Sequence, residues 1–108
     1  MIYRAYQGKE LVAYAEVLRG FAHRRQWIIG IVLVDPAMRG VGIGQAIVEA
    51  VAEDARTGGV ESLAVGVIAT RERSLAFWVR EGFTTEVKRR PMTVAGVQTE
   101  VVRLERQL

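Results

Sequence analysis

The chain has 108 residues, enough for one small domain and too few for two. Half of it is hydrophobic and a quarter is charged, with a net charge of +3 carried almost wholly by arginine, Lys9 and Lys88 being the two lysines. With no cysteine and the single histidine His23, a disulfide framework, a thiol nucleophile and a thiolate or multi-histidine metal site are excluded.

Met1 to Gln7 reads as a first strand, and Gly8-Lys9 as a hairpin turn. Leu11 to Arg19 follows as a second strand. Its alternation sets Val12, Tyr14, Glu16 and Leu18 against Leu11, Ala13, Ala15 and Val17. Gly20 to Arg25 is a polar connection, and Gln26 to Val34 a third strand, so an antiparallel meander is predicted. Asp35-Pro36 ends that strand, because proline has no N–H for a ladder.

Arg39-Gly40-Val41-Gly42-Ile43-Gly44 comes next, and there the apolar period changes from two to 3.6. Ile43, Ala46, Ile47, Ala50, Val51 and Asp54 predict a helical stripe ending near Thr57-Gly58-Gly59. Glu61 to Ile68 is a fourth strand, parallel to the third through a right-handed crossover. A second helix is predicted from about Glu72 to Glu81, with Leu75, Ala76, Trp78 and Val79 as its apolar face and Gly82 closing it. Phe83 to Arg90 and Val97 to Glu105 form a last antiparallel pair around Met92 to Gly96, with Pro91 marking the end of the first. The expected architecture is therefore α/β: a mixed, mostly antiparallel twisted sheet with two helices, in one domain over residues 1–108.

A glycine-rich loop that opens a helix suits a phosphate. The first turn of a helix has N–H groups without partners and the positive end of its dipole. Glycine allows positive φ and close approach, and Arg39 adds a charge-assisted bond. A P-loop needs Lys-Ser or Lys-Thr after its last glycine, where Gln45-Ala46 stand. A dinucleotide fingerprint needs G-x-G-x-x-G, whereas Gly40, Gly42 and Gly44 give G-x-G-x-G. Arg39, Gly42 and Gly44 do fit Arg/Gln-x-x-Gly-x-Gly/Ala. The plain alternative is a glycine-rich turn into an ordinary helix.

On that loop the chain resembles the GNAT acetyltransferase superfamily. The resemblance extends to Arg71–Phe83, RERSLAFWVREGF, which looks like the family's Asn-x-x-Ala-x-x-φ-Tyr-x-x-x-Gly-Phe helix in register. Phe77 holds the φ position and Gly82-Phe83 the terminal pair. Arg71, Ser74 and Trp78 stand where asparagine, alanine and tyrosine are usual. The resemblance implies a GNAT-like fold and acetyl-CoA as cofactor. It implies that Arg39, Gly40, Val41, Gly42, Ile43 and Gly44 bind pyrophosphate, and that backbone amides around Leu33 and Val34 hold the thioester, with the pantetheine arm alongside Ile31 to Val34. By the same resemblance Arg71 and Arg73 reach phosphates or adenine, the plain alternative being solvated helix-end arginines, and Lys88 to Arg90 either attract the 3′-phosphate or protect an edge strand.

The implied reaction is direct attack of a primary amine, on a small molecule or a protein, in a ternary complex. Glu16, the one carboxylate inside the meander strands, is the candidate base; Asp35 reads better as a turn residue and His23 as a connection residue. Trp78 replaces the usual acid and, lacking a titratable proton, packs by the sulfur; Ser74 is placed to hold a water. Tyr3, Tyr6 or Tyr14 serves as acid only if the fold brings it close. The other reading is a non-catalytic acyl-CoA-binding module, or a half-domain completed by a partner.

Relatives begin with a further strand and a helix pair that this sequence does not show. Apolar sheet surface is thus expected to be exposed, and a homodimer to cover it. No metal is expected. No apolar run approaches the ~20 residues of a membrane span, and MIYRAYQGKE has no signal-peptide core, so no membrane association and a cytoplasmic location are expected. The scattered arginines argue against nucleic acid as a partner.

Overall fold

We describe the protein from a computed structural model, which covers residues 1–20 and 23–108. Six strands and two helices follow in the order β1 (Ile2–Gln7), β2 (Glu10–Arg19), β3 (Gln26–Val34), α1 (Ile43–Thr57), β4 (Ser62–Ile68), α2 (Glu72–Arg80), β5 (Thr85–Val94) and β6 (Val97–Gln107). One sheet runs β1-β2-β3-β4-β6-β5. All neighbours are antiparallel except β3 and β4, which α1 joins as a parallel pair. Of the predicted connection Gly20 to Arg25, Phe21 and Ala22 lie outside the described residues.

Both helices cover the same face of the sheet. Ala13, Ala15 and Val17 of β2, Trp27 and Ile29 of β3, Leu63, Val65 and Val67 of β4, and Val102 and Leu104 of β6 point into one core with them. Removing these side chains from water is the main drive for folding. The stripe of α1 differs from the expected one. Ile47, Val48, Val51, Ala52 and Ala55 are buried, while Ala46, Ala50 and Asp54 are exposed. Small alanine is compatible with either side of the helix, so the β-branched residues set its rotation. On α2 the predicted Ala76 and Val79 face solvent, and Trp78 is buried with Leu75 and Phe77 half-buried. Trp78 makes edge contacts with Phe77 (5.0 Å between centroids) and Phe83 (5.1 Å).

The last hairpin is longer than expected. Its turn is only Ala95-Gly96, both at positive φ, which suits a two-residue hairpin. Pro91 lies inside β5 opposite Glu100 rather than ending it. Because β5 is an edge strand, a missing N–H there costs no ladder bond. Asp35 does act as a turn residue: its Oδ1 accepts from Ala37 N–H at 2.9 Å and opens a single 3-10 turn, Pro36–Met38.

Polar contacts tie the strands to one another and α1 to the sheet. Gln26, buried on the side of the sheet away from the helices, donates from Nε2 to Ser62 Oγ (3.0 Å) and Glu105 Oε2 (2.7 Å). Its Oε1 accepts from Arg103 Nη2 at 3.1 Å, so one side chain links β3, β4 and β6. Tyr3 of β1 donates to Asp54 of α1 at 2.7 Å. Partial burial, then that bond and the Asp54 charge, push the Tyr3 phenol well above its ordinary range.

Phe83 has no exposed surface, and Phe83→Ala is expected to lower unfolding free energy by about 3–5 kcal/mol in urea titration. The neutral Tyr3 phenol is favoured in the fold. Its contribution is fully present below the ordinary tyrosine value of about 10 and is lost as pH rises above it. Denaturation across that window is expected to show less loss for Tyr3→Phe than for the parent protein.

Candidate functional site

The parallel pair β3–β4 is short. Its ladder runs only from Gln26↔Ser62 to Ile29↔Val65. Beyond Ile29, β3 continues to Val34 against β2, and β4 to Ile68 against β6, so the two strands diverge into a V. The divergence begins at a bulge. Glu16 pairs with Ile31 and Val17 with Ile29, which leaves Gly30 unpaired and bends β3 away.

The open arm of β3 presents backbone groups with no strand to receive them. Asp35 N–H bonds Val12 carbonyl at 2.8 Å, and Ala13 pairs with Val34. The antiparallel alternation then turns the backbone groups of Leu33 and Ile31 toward β2, and those of Val32 and Val34 into the V. Of the two amides singled out from sequence, Val34 thus faces the opening and Leu33 faces β2. Val32, inside the predicted range, joins Val34.

A cleft of about 620 Å3 occupies this opening. Val32, Leu33 and Val34 form one wall; Met38, Arg39, Gly40, Gly42, Ile43, Gly44 and Gln45 form the rim; Arg73, Ser74, Phe77, Trp78 and Arg80 of α2, with Glu81 just after it, form the other wall. Gly40 and Gly42 have φ of +81° and +86°, and nothing lies within 4 Å of where a Cβ would stand at either. They shape the loop that leads into α1, with Gly42 as its N-cap. Gly44 has another role. A Cβ there would meet the Phe77 ring at 3.3 Å, so its hydrogen lets α2 close on the first turn of α1.

Charge in the cleft is one-sided. Arg25, Arg56, Arg89, Arg103 and Arg106 all have carboxylate partners within 4 Å. Arg39, Arg73 and Arg80 have none among the described residues, and all three line the cleft. Among the described residues, Glu81 is the only carboxylate that lines it. With the amides at the start of α1, the arrangement has the chemistry that an anion bearing several charges requires. Arg80 was not anticipated. It follows Arg73 by two helical turns on one face of α2, a spacing visible in the sequence once that face is known.

The remaining candidates fall elsewhere. Arg71 lies at the start of α2 beside Thr70 in a separate shallow depression, and Val41 projects from the loop into solvent. Lys88, Arg89 and Arg90 are on the β5 edge, where Arg89 pairs with Glu86 and Glu100. His23 Nδ1 accepts from Arg25 N–H in the connection before β3. Glu16 is on the sheet face opposite the helices, next to Ile31 where the V opens, and it accepts from Tyr14 O–H at 2.5 Å. That bond, foremost, raises the Tyr14 phenol above its ordinary value. No tyrosine lines the cleft among the described residues; of the three departures from the family helix, Ser74 and Trp78 line it and Arg71 does not.

A family model described as Acetyltransferase (GNAT) family matches residues 1–83. No match to a curated protein was found. Among solved structures, the chain is similar to the ribosomal-protein-S18-alanine N-acetyltransferase from Escherichia coli, at 18% identity and TM-score 0.86 over 99% of this chain and 68% of that one. It is similar to an IAA acetyltransferase from Bacillus cereus at 21% identity and TM-score 0.82, over 99% and 77%. A GNAT family acetyltransferase from Elizabethkingia anophelis with acetyl-CoA bound gives 18% identity and TM-score 0.83, over 99% and 75%. The V between β3 and β4, the glycine loop at the head of α1 and the family match over most of its length agree: the chain belongs to the GNAT acetyltransferase family.

Proposed function

We propose that this protein is an N-acetyltransferase that binds acetyl-CoA in the V and passes its acetyl group directly to a primary amine. The observation that carries this is the juxtaposition of unpaired β3 amides with a glycine loop and three arginines without carboxylate partners. A pantetheine arm adds to β3 as an extra strand, bonding Val32 and Val34. The diphosphate rests on the loop amides and Arg39, and Arg73 and Arg80 neutralise the remaining phosphate charge. An inward-facing amide of β3 donates to the thioester oxygen as negative charge develops on it.

The amine approaches from the opposite side of the sheet, where Glu16 stands beside the start of the divergence. A carboxylate there attracts the ammonium and accepts its proton, and the Tyr14 hydrogen bond orients it. Trp78 shapes the wall beside the leaving sulfur, and Ser74 is placed to hold a water there. The cytoplasm, where acetyl-CoA and amines are both present, is the fitting compartment.

A second reading, a non-catalytic acyl-CoA-binding module, is favoured by one observation: the cleft contains no titratable proton donor where relatives carry tyrosine. The two readings part in a single experiment series. Calorimetry with acetyl-CoA is expected to show binding that Gly42→Glu abolishes, since its side chain and negative charge enter the phosphate site. Charged hydrogen bonds contribute about 1.5–3 kcal/mol, so Arg73→Gln and Arg80→Gln are each expected to weaken binding at least about 10-fold. Release of free thiol with an amine panel then reports transfer. Glu16→Gln is expected to lower kcat by roughly 100-fold with the acetyl-CoA affinity unchanged. Binding without thiol release from any amine would select the module, and no binding to the folded protein would overturn both.

A further inference from the structure

Seven of the eleven glycines are at positive φ. Gly44 makes room for the Phe77 ring, and Gly58 caps α1 with the Asp54 carbonyl oxygen 3.4 Å from where its Cβ would stand. Gly30 and Gly66 have no such reason to be glycine. Both lie inside strands, neither is at positive φ, and both have room for a side chain. The nearest atom to a Cβ would be the Glu16 carbonyl oxygen at 3.8 Å for Gly30 and a Val101 methyl at 3.5 Å for Gly66. The bulge at Gly30 does not call for glycine either, since only the positive-φ kind does. A strand glycine that weakens its strand without a backbone reason marks a place where something else comes close.

The two stand at one point of the fold. The β3–β4 ladder ends at Ile29↔Val65, and Gly30 and Gly66 are the next residues on the two strands. Ile29, Val65 and Val67 point into the core under the helices, so alternation turns positions 30 and 66 to the other side. Two facing positions at the apex of the V thus lack side chains, and the apex is a notch floored by bare backbone.

We propose that this notch is an acyl-chain pocket, so that the protein takes propionyl and butyryl thioesters of coenzyme A as well as acetyl-CoA and holds the longer chains more tightly. The inference rests on the acetyl-transfer reading, which sets the direction of the cofactor. An arm that leaves the loop at Arg39–Gly44 and runs back along Val34 and Val32 comes next to Gly30, so the acyl group is delivered at the apex.

The surroundings select an uncharged aliphatic chain. The Val101 methyl stands beside position 66, and Ile31 follows Gly30 on β3. Glu16, paired with Ile31, would repel a dicarboxylic acyl group. Arg103, paired with Gly66, directs its guanidinium to Gln26 Oε1 (3.1 Å) and Glu105 Oε2 (3.4 Å). Each methylene moved out of water strengthens binding roughly four-fold, so two of them in the notch, part of their surface still facing solvent, are worth about 10-fold.

Calorimetry of the full chain with acetyl-CoA and butyryl-CoA tests this without knowledge of the amine. Butyryl-CoA is expected to bind about 10-fold more tightly. Gly66→Val and Gly30→Val fill the notch from opposite strands, and each is expected to remove that preference. Valine suits a strand, so both variants are expected to keep or raise the thermal midpoint, which a glycine needed for folding would not allow. Ala76→Val, on the solvent side of α2, is expected to leave the preference as it is. Acetyl-CoA binding with equal or weaker binding of butyryl-CoA would overturn the pocket and leave the acetyl-transfer reading standing. So would a preference that survives both glycine substitutions, or a fall in midpoint for both. Binding of neither thioester to the folded protein would overturn the two together.

Discussion

The interrupted pairing of β3 with β4 is the constraint on which the rest depends. Four residue pairs hold the strands together at one end, where Gln26 bonds across to Ser62 and Glu105. Past the Gly30 bulge they separate, and each finds its ladder on the other side, β3 with β2 and β4 with β6. A fully paired sheet would satisfy Val32 and Val34 internally and leave nothing to bind. Buried backbone groups need partners, so an opening of this kind is stable only where solvent or a ligand reaches it. The cleft is therefore made by withholding a hydrogen-bond ladder, with the side chains refining it afterwards.

The helices serve the opening in different ways. α1 brings amide donors to its rim and is anchored at mid-helix by Arg106 on Glu49 (2.9 Å) and near its far end by the Tyr3–Asp54 bond. α2 is held by the aromatic row Phe77–Trp78–Phe83 and leans on Gly44. A methyl group at Gly44 would press on the Phe77 ring, so the width of the cleft is set by one hydrogen atom as much as by the strands.

Much of this was legible from residues. The switch from period two to 3.6 at Ile43 located α1, and the glycines at 40 and 42 located the loop. RERSLAFWVREGF identified α2 and, by resemblance, the family. The orientation of each helix was less legible. Ala46 and Ala50 fit a core stripe as well as a surface, and only packing against the β-branched neighbours decided it. Arg80 is not marked by sequence, because its place in the cleft depends on which face of α2 meets α1, a tertiary fact. The bulge at Gly30 left no local mark either, since one glycine in a strand has several uses. Pro91 was read as a strand end because sequence does not say which strand lies at the edge.

The two tryptophans divide the molecule for an observer. Trp78 forms part of the cleft wall and touches the aromatic row behind it, while Trp27 is buried beneath the C-terminal end of α1, 3.8 Å from where a Gly58 Cβ would stand and with the Arg19 guanidinium 6.0 Å from its ring. Their emission therefore senses different places. One indole responds to what fills the opening and the other to whether the helix layer remains on the sheet, so replacing either by phenylalanine turns the chain into a single-site optical reporter of occupancy or of folding.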